Sequence, residues 1–248
     1  MRYPATARWT TPLRQFSSEH IAALSVMAVA IGLSVFGARR DPGRWIAPIS
    51  FALVLVIFAG WVGEYVADVV QGIWSARYDL PLQLTDAVSL AALLALSTRR
   101  AWLIELAYFW ALTASLQAAL TPDLHESFPS VFFFTYFAYH EGAIVTACFL
   151  VFGCRQYPRP GAAWRVYAAT LGVTALAGVG DLITGGNYMY LREKPEHSSL
   201  LNVMGSWPWY ILSTAVLGLL MLLALEALTQ LVRRRDLAAA ATATSDGQ

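Results

Sequence analysis

Along the chain, apolar residues run in blocks of roughly 17 to 25 positions broken by short polar clusters, the length a helix needs to cross a hydrocarbon core of about 30 Å. Seven apolar blocks fall at 21–36, 46–70, 82–96, 103–120, 131–152, 164–183 and 209–232, all but the first and third of that length. A backbone in lipid must satisfy its own hydrogen bonds, so each block is expected to be a helix. The pattern predicts an all-α membrane protein, a bundle of about seven transmembrane helices.

The polar breaks alternate in charge. Arg39, Arg40 and Arg44 follow the first block, Arg99 and Arg100 the third, Arg155, Arg159 and Arg165 the fifth, and Arg233, Arg234 and Arg235 the seventh. Positive residues stay preferentially on the cytoplasmic side, so these four belong inside. The other breaks carry Arg77 and Asp79, then Asp123, His125 and Glu126, then the mixed run Arg192, Glu193, Lys194, Glu196. The expected orientation is N-terminus outside and C-terminus inside. Arg2, Arg8 and Arg14 argue mildly against it, and no small-residue cleavage site follows them, so the first helix is expected to be retained.

Composition agrees with this picture: 57% of the 248 residues are hydrophobic and 13% charged, far from the balance of a soluble domain. A net charge of +1 offers no basic face for nucleic acid. Cys148 and Cys154 make neither a disulfide framework nor, without a nearby histidine, a metal site, and no cofactor or phosphate-loop signature is present. Residues 1–236 read as one seven-helix domain in a cell (cytoplasmic) membrane, and the Ala/Thr/Ser-rich residues 237–248 as a disordered cytoplasmic tail.

With depth assigned, the polar residues gather towards the outer side. Glu19 and His20 open the first block, and Glu64, Asp68 and Gln71 form an i, i+4, i+7 stripe on the second. Pro81 precedes Gln83, Thr85, Asp86 and Ser89 on the third; Gln117 ends the fourth; Tyr136, His140 and Glu141 lie in the fifth. Asp181 and Asn187 close the sixth, and Trp207, Trp209 and Tyr210 open the seventh. Ionisable residues inside a membrane usually face the bundle interior or a wet cavity, which marks an outer-leaflet cavity as the functional region. Each residue also has a structural reading. Gln83, Thr85, Ser89 and Gln117 fit interhelical hydrogen bonds, the tryptophans an interfacial belt, and His140 a satisfied core histidine. Glu105 and Glu226 sit near the inner side and read as structural.

The runs LPLQLTDAVSLAALLALSTRR, ELAYFWALTASLQAALTPDL, FPSVFFFTYFAYHEGAI, GGNYMYLREKP and SWPWYIL, in this order, resemble the bacterial YwaF-like integral membrane proteins, which are related to transmembrane protein 164. The resemblance covers most of the chain from His20 to the seventh block. It implies a membrane-embedded phospholipid acyltransferase, distantly similar to the androgen-induced lipid-ester hydrolases. The family pattern at the third block looks like Leu-Pro-Leu-His-Leu-Cys, with the cysteine as acyl acceptor; here its last three positions are Gln83, Leu84 and Thr85. A hydroxyl ionises far less readily than a thiol and needs a positioned base.

The hydrolases, which the resemblance implies pair a threonine with a histidine, suggest His140 of the YHEG run as that base. Thr85 and His140 are then the expected catalytic residues, with Glu64, Asp68, Gln83, Asp86, Gln117, Tyr136, Glu141, Asn187 and Trp209 supporting them or binding substrate. Asp86, Glu141 and Asp68 are equal candidates to orient the imidazole. The expected function is a phospholipid acyltransferase or lipid esterase in the outer half of the bilayer, acting on membrane phospholipids without metal or cofactor. The competing reading is a non-enzymatic lipid- or solute-binding or transport protein that uses the same polar cavity.

Overall fold

In the computed structural model, residues 12–195 and 200–245 are described; Arg2, Arg8, Glu196 and the last three residues lie outside them. The chain folds into seven long helices: α1 (Ser18–Arg40), α2 (Pro42–Val70), α3 (Leu84–Thr98), α4 (Ala101–Leu120), α5 (Val131–Gly153), α6 (Ala162–Thr184) and α7 (Trp209–Ser245). Six are long and apolar enough to cross a membrane, and α3 is a shorter apolar helix of 15 residues. Among the described residues the bundle is thus all-α with seven long helices, and no strand occurs.

Local chemistry sets several helix boundaries. Asp41 alone separates α1 from α2, its carboxylate accepting from the Arg44 N–H at 3.1 Å while Pro42 opens α2, where a missing N–H costs nothing. Ser130 caps α5 in the same way, accepting from the Phe132 N–H. α4 contains a π turn at Ala111–Ser115, and α5 ends in another at Phe149–Gly153. α7 runs on to Ser245, well beyond its apolar stretch. The alanine-rich segment after Asp236, expected to be disordered, continues this helix, since alanine has the highest helix propensity.

α5 is the central helix: 83% of its span is buried, against 6% for that of α7. It packs on α1, α2, α3 and α4, while α7 leans mainly on α6. The α2–α5 crossing is close because it is built on glycine. A Cβ at Gly60 would stand 2.8 Å from Ala138 Cβ and 2.9 Å from the Tyr139 amide nitrogen, and one at Gly142 would meet Ile57 at 2.8 Å. Ala91, Ala92 and Ala95 of α3, Ala107 of α4 and Ala143 and Ala147 of α5 extend this small-residue core.

The arginine-bearing turns share one end of the bundle. Buried Glu105 on α4 takes Arg159 Nε at 2.8 Å and Nη2 at 3.1 Å, and Arg165 Nη2 at 2.9 Å. Glu226 on α7 caps the start of α6 through the amides of Gly161 and Ala163, and Asp236 pairs with Arg39 at 2.9 Å. Both glutamates are therefore fastened to the framework. Both arginines stay about half-exposed while Glu105 is 3% exposed, so the two sides of the cluster should respond unequally to mutation. Glu105→Ala leaves two guanidiniums that water can reach, whereas the R159A/R165A double variant strands a buried carboxylate. The double variant should have the lower melting midpoint in detergent micelles; the opposite order would mean that burial of Glu105 is not what makes the cluster matter.

At the other end, α3 stops short. Fifteen residues span about 22 Å at 1.5 Å per residue, less than the roughly 30 Å of a hydrocarbon core. With its C-terminal Arg99 among the arginine turns, its first turn lies below the opposite surface. Irregular backbone is tolerated at that depth only when wrapped in protein. The preceding loop is wrapped: the Ile73 and Trp74 amides bond to the Asp68 carbonyl, the Ser75 amide to Asp79 Oδ2, and the Leu80 amide to the Tyr188 hydroxyl.

Candidate functional site

The first turn of α3 is fixed by Asp86. Its Oδ2 accepts from the Gln83 N–H at 3.0 Å, and Gln83 reciprocates by accepting from the Asp86 amide, a two-way cap of the helix. Its Oδ1 accepts from Trp61 Nε1 at 2.8 Å and the Tyr65 hydroxyl at 2.9 Å, both on α2. Gln83 Oε1 also takes the Met189 N–H at 2.9 Å, which ties the turn to the loop after α6. Asp86 and Gln83 are thus employed in holding the turn that carries Thr85.

Thr85 is half-buried at the second position of α3. Helical hydroxyls elsewhere bond to the carbonyl four residues back, as Ser89, Ser97 and Thr170 do. For Thr85 that position is Pro81, before the helix begins, and its hydroxyl makes no hydrogen bond among the described residues. It is left available.

His140 lies on α5, 3% exposed, with its ring between those of Tyr136 and Tyr139 at centroid distances of 4.2 and 4.1 Å. Its Nδ1 is 2.8 Å from the Tyr136 carbonyl oxygen. A carbonyl only accepts, so Nδ1 carries a proton and Nε2 is the nitrogen able to take one up. The imidazole is thereby oriented by backbone one turn away, and none of Asp68, Asp86 or Glu141 holds Nδ1. Among the described residues no hydrogen bond joins Thr85 to His140, although α3 and α5 are in contact.

Beside His140, Tyr139 lies within electrostatic range of Glu64, Tyr65 and Asp86, and Tyr136 within range of Glu64, Asp123 and Tyr190. The Tyr136 hydroxyl donates to the Ala118 carbonyl at 3.0 Å. Glu141 and Asp68 are buried, and Glu141 Oε1 has no hydrogen-bond partner among the described residues. Polar groups of α2, α3 and α5 therefore converge near one end of the bundle. Gln117, Asn187 and Trp209 lie at its edge. Gln117 is exposed and donates to Thr121, Asn187 folds the loop by accepting from the Arg192 and Glu193 amides, and Trp209 is 66% exposed at the start of α7. His20 is fully committed, taking the Phe16 N–H on Nδ1 and donating through Nε2 to the Ala119 carbonyl.

Trp61, Tyr65, Tyr139, Tyr188 and Tyr190 were not singled out from the sequence. Trp61, Tyr65 and Asp68 follow i, i+4, i+7 on α2, so the stripe assigned to Glu64 and Asp68 already held the signal for two of them. Tyr188 is a keystone of the loops, its hydroxyl donating to the Ala76 carbonyl and accepting from the Leu80 N–H, while its own amide donates to Asp181.

No curated protein and no solved structure matches the chain. The sequence does match the TMEM164 family over residues 15–225, from before α1 into α7 and across every residue of the site just described. The chain belongs to the TMEM164 family.

Proposed function

We propose that this membrane protein is a phospholipid acyltransferase or lipid esterase working in the outer half of the cell membrane, with Thr85 as nucleophile and His140 as general base. The observation that carries the reading is the His140 Nδ1 contact with the Tyr136 carbonyl, which leaves Nε2 as a basic nitrogen inside an apolar helix core. The uncommitted Thr85 hydroxyl and the short reach of α3 support it. In the reaction, Thr85 Oγ attacks a lipid ester carbonyl as its proton passes to His140 Nε2. The tetrahedral adduct collapses, and the lipid alkoxide leaves with that proton. Water or a lysolipid hydroxyl then gives its proton to His140, attacks the acyl-threonine and carries the acyl group away, restoring the Thr85 hydroxyl. Membership of the TMEM164 family and the seven apolar helices support a site that meets membrane lipid.

A fluorophosphonate probe tests the nucleophile. Wild-type protein in membranes should be labelled and Thr85→Ala should not, while Thr85→Cys, which restores the residue type of the family pattern, should accept acyl groups as a thioester. Equal labelling of wild type and Thr85→Ala would remove Thr85 from the chemistry. The missing Thr85–His140 hydrogen bond favours a second reading, a non-enzymatic lipid- or solute-binding or transport protein. That reading requires flux in reconstituted vesicles to survive His140→Ala.

A further inference from the structure

The loop after α6, tied to the α3 turn through Gln83, also carries positive charge. Arg192 Nη1 lies 3.4 Å from the Gly186 carbonyl, and a Cβ at Gly186 would stand 2.5 Å from the Arg77 carbonyl, so the segments carrying Arg77 and Arg192 meet at this glycine. Lys194, two residues beyond Arg192, has its ammonium 5.4 Å from the Tyr210 ring centre. Arg77 and Arg192 are exposed, and no carboxylate pairs with Arg77, Arg192 or Lys194 among the described residues.

The depth of this cationic strap is set by tryptophans. Trp207 donates Nε1 to the Leu191 carbonyl at 3.1 Å, and Trp207 and Trp209 are 62% and 66% exposed beside apolar α7, where interfacial aromatic residues anchor. The strap therefore lies at the level of lipid phosphates. It is also fastened to the α3 turn, through the Met189 N–H on Gln83 Oε1 and the Tyr188 hydroxyl on the Leu80 N–H. Gln83 is two residues from Thr85.

We propose that Arg77 and Arg192, supported by Lys194, bind the phosphate of a phospholipid and hang its glycerol ester below, towards the α3 turn. A guanidinium presents paired donors that match phosphate oxygens, and the bond is charge-assisted. The assignment rests on the acyl-transfer reading for the direction in which the lipid hangs, but binding itself needs no reaction.

The test uses full-length protein in mild detergent with native mass spectrometry, and three probes: dioleoylphosphatidylglycerol, dioleoylglycerol and inorganic phosphate. Phosphatidylglycerol should bind wild type, and the R77A/R192A double variant should bind it about a hundredfold more weakly, the loss of two charge-assisted contacts at about tenfold each. R77K/R192K should recover part of the affinity, and all variants should share the wild-type melting midpoint. Dioleoylglycerol, which lacks the phosphate, should bind wild type and the double variant alike. Unchanged phosphatidylglycerol binding in R77A/R192A overturns the site, and equal wild-type affinity for dioleoylglycerol does so as well. Displacement by equimolar inorganic phosphate would mark a free-anion site and overturn the lipid assignment. Loss of Thr85 labelling in the face of arginine-dependent binding would remove the reaction and keep the headgroup site.

Discussion

His140→Phe should slow fluorophosphonate labelling and lipid-ester turnover by about 10²- to 10⁴-fold, the usual contribution of a positioned base, while leaving the protein close to wild-type stability. Phenylalanine fills the slot between the Tyr136 and Tyr139 rings and preserves their stacking. It removes the Nδ1 contact, but a carbonyl has two lone pairs and Tyr136 O sits one turn below residue 140, in register for the ordinary helical bond. No buried acceptor is stranded. His140→Ala should lose the same activity and also open a cavity among packed rings, with a cost of about 2 to 4 kcal/mol. The phenylalanine variant therefore separates chemistry from packing: its melting midpoint should stay within a few degrees of wild type, where that of the alanine variant falls. Labelling of His140→Phe at the wild-type rate would exclude His140 as base.

The two variants differ in a way that the sequence could not have anticipated. That His140 is intramembrane follows from its place in an apolar block, and the neighbouring Tyr136 is legible one turn before it. Which group holds Nδ1 is not legible, because three carboxylates compete on paper and the answer is a backbone carbonyl. The helices themselves were readable because hydrophobic length is a constraint each segment meets alone. Their ends were less so. Runs such as Arg39–Arg40 still belong to α1, and the helix after Asp236 persists on alanine propensity beyond the apolar run. Contacts between segments were the least readable: Trp61 and Tyr65 reach an acceptor 25 and 21 residues ahead on another helix. No periodicity within α2 names Asp86 as their common target. The shortness of α3 was visible as a 15-residue block. Its consequence, a first helical turn below the surface, appears only once the far end is fixed among the arginine turns.

Asp86 is where this dependence should be most costly to break. Asp86→Ala removes the acceptor of Trp61 Nε1, the Tyr65 hydroxyl and the Gln83 N–H together, and each stranded donor costs about 1 to 3 kcal/mol when fully buried. Trp61 and Tyr65 are only half-buried, so the lower end of that range applies to each, and the sum is about 3 kcal/mol. For a chain of this size that corresponds to a drop of about 6 to 12 °C in melting midpoint. Asp86→Asn keeps an oxygen for the two α2 donors but turns an amide N–H₂ towards the Gln83 N–H, so only the cap is lost, at about 1 kcal/mol. Both variants free the first turn of α3, and Thr85 labelling should fall in the same order, wild type above Asp86→Asn above Asp86→Ala. Trp61→Phe and Tyr65→Phe provide the internal check, because each removes a single donor and leaves the cap in place, and each should cost less than Asp86→Ala. Wild-type melting of Asp86→Ala would mean that the α2–α3 junction is held by apolar packing alone, and the Thr85 turn would then owe its position to the Gln83–Met189 tie rather than to Asp86.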